Sequence, residues 1–101
     1  MSRSSKIIYN LPIDYTELHY SKRKEVRQQY IKEQDGKCFY CVEDLNKEPP
    51  ISILEKDINW SLFPPNFLKN PIHLQHCHKT GMTEGAVHAY CNAVLWQYEH
   101  R

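Results

Sequence analysis

Apolar and polar positions alternate from Pro71 onward. The run turns at Lys79-Thr80-Gly81 and returns through Thr83 to His88. That period of two predicts a two-stranded hairpin, with Gly81 supplying positive φ in the loop. On the outgoing strand His76 and His78 lie two apart and so share a face, while Cys77 points the other way. A different period governs the two ends. Between Asp14 and Gln34, Val26, Tyr30 and Ile31 fall on one side of a helix and Lys/Arg on the other. Asp14 and Glu17 have capping-box spacing, with Ile13 and Leu18 as the matching staple. Ser21 is an alternative N-cap, dividing the segment into a short turn and a main helix over 22–34. Asp35-Gly36 ends the helix, Gly36 as its left-handed cap. After Asn92, the spacing of Val94, Leu95 and Tyr98 predicts a short C-terminal helix.

Between these parts, residues 42–70 have little period. Pro49-Pro50 and Pro64-Pro65 punctuate them, and Ile51-Ser52-Ile53-Leu54 reads as a short strand. Trp60, Leu62, Phe63, Phe67 and Leu68 read as core or lid residues, with base stacking as the less favoured alternative. The 101 residues make one domain with room for one small core. Residues 1–13 form a flexible lead-in, 14–35 a basic helix, and 36–98 the remainder.

Charge changes this picture only locally. The formal net charge is +1, but residues 1–40 carry eight Lys/Arg against five Asp/Glu. The excess sits mainly in Lys22, Arg23, Lys24 and Arg27, which is either a solvated helix face or a face for nucleic-acid phosphates. No apolar run is long enough to cross a membrane, and the opening Met-Ser-Arg-Ser-Ser-Lys lacks the apolar core of a secretory signal. An intracellular location is therefore expected, in the cytoplasm or in a host cell.

In that compartment four cysteines point to metal rather than to two disulfides. Cys38 and Cys41 are separated by two residues, and so are His88 and Cys91. Two such pairs suit one tetrahedral structural zinc. A rival set takes Cys77 in place of His88. His76, His78 and Asn92 form a second constellation. A neutral histidine takes a proton from water, and a hard divalent cation nearby stabilises a leaving phosphate oxygen. Together these suffice to cut a phosphodiester.

The order Cys38-x-x-Cys41, Gln75-His76-Cys77-His78-x-Thr80-Gly81, then Gly85-Ala86-Val87-His88-x-x-Cys91-Asn92 resembles the HNH, or ββα-metal, nucleases. It is most similar to the branch named for phage recombination endonuclease VII, a resolvase of branched DNA. The resemblance spans residues 36–98, and 42–70 contribute nothing to it. It implies an α+β fold of the ββα-metal type, a structural zinc and a catalytic Mg²⁺ or Mn²⁺. It also implies His76 as general base, His78 in support, and Asn92 on the catalytic ion. DNA, branched or double-stranded, would be the partner, and a homodimer through the N-terminal helix is conceivable. Three positions depart from the family pattern. His88 stands for a zinc cysteine, Glu84 and Ala86 lie where the family has Arg-Gly, and Gln75 stands for a metal-binding Asp. Gln75 offers the ion an uncharged carbonyl oxygen. A metal-dependent DNA endonuclease is the first expectation. A zinc-stapled DNA-binding module with weak or no catalysis is the second.

Overall fold

The computed structural model describes residues 8–99. Its elements are helix α1 (Tyr20–Glu33), a one-turn helix α2 (Ile51–Leu54), strands β1 (Ile72–His76) and β2 (Thr83–His88), and helix α3 (Ala89–Glu99). The strands form a two-stranded antiparallel sheet, with Ile72 opposite His88, Gln75 opposite Gly85, and a bulge between Gln75 and His76. The protein is thus a small α+β unit in which the hairpin runs straight into α3. The predicted turn is present, with Gly81 at φ 80° and its N–H on the Cys77 carbonyl at 2.7 Å.

The segment expected as one helix from Asp14 is divided. Asp14 caps a short 3₁₀ turn, Tyr15–Glu17, by accepting from the Thr16 N–H at 2.9 Å. The chain extends through Leu18, and α1 begins where the His19 ring accepts from the Ser21 N–H. His19, not Ser21, is therefore the N-cap. At the other end the Gly36 N–H closes on the Ile31 carbonyl at 2.8 Å, with Asp35 and Gly36 both at positive φ. Residues 8–13 run against α1, where Tyr9 and Gln29 exchange two hydrogen bonds of 2.9 Å. The rest of the expected lead-in, residues 1–7, lies outside the described residues.

The stretch Ile51–Leu54 is a helical turn, not the expected strand. Pro50 has the fixed φ that suits a helix start, and the turn buries Ile53 while Ile51 stays exposed. α3 begins three residues before Asn92, so Cys91 and Asn92 both lie in its first turn.

The core gathers Val26 and Tyr30 of α1, Ala86 and Val87 of β2, and Ala93, Val94 and Leu95 of α3. Leu45, Ile53 and Ile58 from the middle segment close it. Tyr98, expected to pack, is 47% exposed, and its hydroxyl donates to the Asp57 carbonyl. Gln34, just past α1, acts as a surrogate strand residue. It donates to the Ala86 carbonyl at 3.0 Å and accepts from the Ala86 N–H at 2.9 Å. This close approach depends on Gly85, where a Cβ would sit 2.7 Å from the Gln34 side-chain oxygen and 2.9 Å from Phe39.

Candidate functional site

The Gln34–Ala86 clamp delivers the chain to its knuckle. The Phe39 N–H donates to the Ala86 carbonyl at 2.9 Å, which sets the Cys38–Cys41 turn against the end of β2. His88 ends β2 and Cys91 sits one turn into α3. Ligand atoms of Cys38, Cys41, His88 and Cys91 all lie within 4.8 Å of one another. Three of the four residues are buried. The Cys41 and Cys91 sulfurs stand 3.4 and 3.6 Å from His88 Nδ1. A zinc tetrahedron with Zn–S of about 2.3 Å and Zn–N of about 2.0 Å has S···N edges of about 3.5 Å, so the donor set fits. His88 Nε2 faces the carbonyls of Lys47 at 2.8 Å and Asp44 at 3.0 Å. Donating there places the proton on Nε2 and leaves the Nδ1 lone pair for the metal.

The thiols are already polarised against one another. Cys38 is held down to about 4, first by the hydrogen bond from Cys91 and then, against burial, by backbone N–H groups. Cys91 is pushed up by that same bond and by burial, and Cys41 is pushed up by burial. Burial opposes ionising all three thiols together, and a bound cation offsets that cost. Cys77 stands outside the cluster, so His88, not the rival Cys77, completes the four.

Val42, directly after the knuckle, has φ 69° and is 67% exposed. A β-branched residue is strained in that region.

A second site opens beside the hairpin. A cleft of 410 Å³ is lined by His73, Gln75, His76, His78 and Asn92, by Tyr15, Arg23 and Arg27, and by an apolar margin including Phe63, Phe67 and Trp96. The His76 and His78 rings meet edge to face with centroids 4.8 Å apart, although β1 ends at His76 and His78 belongs to the turn. Asn92 approaches from α3, and its amide donates to His73 Nδ1 at 3.0 Å. His73 Nε2–H in turn donates to the Phe67 carbonyl at 2.9 Å. Burial lowers the proton affinity of His73 and, together with the charges of His78 and Arg23, that of His76. Both rings are therefore neutral at neutral pH.

Two members of this site escape sequence reasoning. His73 sits two residues before Gln75 on β1, and its link to Asn92 crosses nineteen positions. Tyr15 lies flat on the His76 ring, with centroids 3.9 Å apart and planes 5° from parallel. On Tyr15 rests the Arg23 guanidinium, 4.2 Å from the ring centroid. His76, Tyr15 and Arg23 thus form a chain of stacked contacts joining β1, the 3₁₀ turn and α1. Arg23 Nε is buried without a hydrogen-bond partner.

The four basic residues of α1 divide. Arg23 and Arg27, one turn apart, line the cleft. Lys22 and Lys24 are exposed and outside it, Lys22 reaching Glu25 at 3.8 Å. Gln75 is 2% exposed, and its amide donates to the His76 carbonyl at 3.0 Å and toward Glu84 at 3.4 Å. Among the described residues no helix is long and apolar enough to cross a membrane. No protein-family model, curated protein or solved structure matches the chain.

Proposed function

We propose that this protein is a metal-dependent endonuclease that hydrolyses DNA phosphodiester bonds, with a ββα-metal architecture stapled by zinc. The observation that carries this reading is the cleft. A neutral imidazole, His76, is fixed in it by stacking, beside His78, an oriented Asn92 and two arginines. His76 takes the proton from the attacking water, and its lowered basicity keeps it ready to accept one at neutral pH. His78 packs against it and limits its rotation. His73 is a positioning residue. By accepting the Asn92 amide hydrogen it turns that side chain's oxygen free of the bond. Arg23 and Arg27 supply positive charge for the phosphate chain. A divalent cation bound at Gln75 and Asn92 would offset charge on the phosphate and the leaving 3′ oxygen.

The second reading is a zinc-stapled DNA-binding module with weak or no catalysis. It is favoured by Gln75, which brings no charge to the ion. Plasmid cleavage in Mg²⁺, Mn²⁺ and divalent-free buffer separates the two. Under the first reading His76→Ala lowers cleavage by about a hundredfold, the scale for losing a general base. DNA binding and zinc content stay as in the parent. Binding without cleavage in any metal selects the second reading. Equal cleavage by parent and His76→Ala removes the proposed mechanism.

A further inference from the structure

We infer that the cleft holds a subsite for one unpaired nucleobase, formed by Phe63, Phe67 and Trp96 and adjoining Arg23 and Arg27. The inference rests on the nuclease reading and adds its substrate class, which is DNA with a single-stranded segment.

The aromatic margin is built rather than incidental. Phe63 packs on Phe67 with centroids 4.6 Å apart and meets Trp96 edge-on at 5.6 Å. Phe67 is in turn edge-on to His73 at 4.7 Å, so the wall reaches the His73–Asn92 pair. Phe63 and Phe67 are half-buried against the core, yet the wall is open at Trp96. Trp96 is 41% exposed and the neighbouring Leu62 50%. An apolar wall left open to water inside a charged cleft calls for a ligand with both characters. Among the described residues no carboxylate lines the cleft, while two arginines and three imidazoles do. A polyanion with planar apolar groups is complementary to that lining. In duplex DNA the base faces are buried in the stack and cannot reach a recessed aromatic wall. In a single strand they are free, and each base stacked on an aromatic ring contributes about 1–3 kcal/mol. The stretch that supplies Phe63 and Phe67 also explains why so long a segment separates the two halves of the metal centre.

The test is binding in divalent-free buffer, where no cleavage occurs. Oligothymidylate, a duplex of equal charge and oligouridylate are titrated against parent, Trp96→Ala, Trp96→Phe and Phe63→Ala. Zinc content reports that each variant is folded. Trp96→Ala and Phe63→Ala should weaken oligothymidylate binding by about tenfold, with Trp96→Phe close to parent and duplex binding changed less than about twofold. In a Trp60→Phe protein, where Trp96 is the remaining tryptophan, oligothymidylate should quench its emission. Equal loss on strand and duplex, loss on neither, absence of quenching, or tighter binding of oligouridylate overturns the subsite. Because no step of this test is catalytic, an inactive protein that shows the selective loss retains the subsite and fails only as a nuclease. An active one without the loss fails only here.

Discussion

The Gln75 amide lies almost fully buried, with its hydrogens directed to the His76 carbonyl and to Glu84. Its side chain therefore fixes the strand next to His76 as well as lining the cleft. Gln75→Asp removes both donated bonds and places a second carboxylate near Glu84. Without a divalent ion this should destabilise the fold by about 1–3 kcal/mol, the cost of an unsatisfied buried polar group. With Mn²⁺ the two carboxylates acquire a common partner, so the variant should recover stability and bind the ion more tightly than the parent. Thermal unfolding with and without Mn²⁺, at constant zinc, checks this. A metal-independent melting temperature in the variant would count against an ion site at Gln75. At this scale the sequence groups His76, His78 and Asn92, which the structure brings to one cleft, but hides their supports. Tyr15 is held over His76 by contacts between segments far apart in sequence, among them its N–H on the Gly81 carbonyl at 2.7 Å. No spacing rule contains such a contact.

Among the elements, α1 shows how helical period sorts charges that look equivalent in the sequence. Positions 23 and 27 fall on one face and enter the cleft, whereas 22 and 24 flank it. If the cleft holds the phosphate chain of a single strand, Arg23→Ala with Arg27→Ala should reduce the log–log salt slope of oligothymidylate binding by about 1.4, at about 0.7 per lost contact. Lys22→Ala with Lys24→Ala should change it less. A larger effect from the lysine pair would move the interface to the outer face. The metal knuckle carries its own strain at Val42. A non-glycine residue in the left-handed region costs about 1–3 kcal/mol. Glycine relieves this at an entropic cost of about 0.5–1 kcal/mol. Val42→Gly should therefore gain about 1 kcal/mol, which raises the melting temperature of so small a domain by about 4–8 °C. A fall in melting temperature would contradict the assignment of strain. One element changes type between sequence and structure: Ile51–Leu54 is a single helical turn. Four residues cannot display a helical period, and β-branched alternation there imitates a strand.

For the molecule as a whole, the Cys₃His cluster joins what the chain keeps apart. The Cys38–Cys41 knuckle follows α1, and His88 and Cys91 lie at the junction of β2 and α3. Between them runs the proline-broken middle segment, whose only helices are single turns. Matching two-residue gaps make the ligands legible in sequence, since both pairs are local. The geometry that excludes Cys77 is not local, because it follows from the hairpin register and the turn at Gly81. A domain of this size gains much of its folding free energy from such a staple, and a chain missing one ligand loses it. We therefore expect one zinc per chain. Cys77→Ser should keep that zinc and the parent melting temperature. Cys91→Ser should lose it and unfold broadly, since its sulfur is fully buried between Cys38 and His88. Elemental analysis and thermal unfolding of the two variants decide between the ligand sets. If Cys77→Ser sheds zinc while Cys91→Ser retains it, the centre is not the one formed by Cys38, Cys41, His88 and Cys91. The hairpin would then have to pair in a register that brings Cys77 to the knuckle.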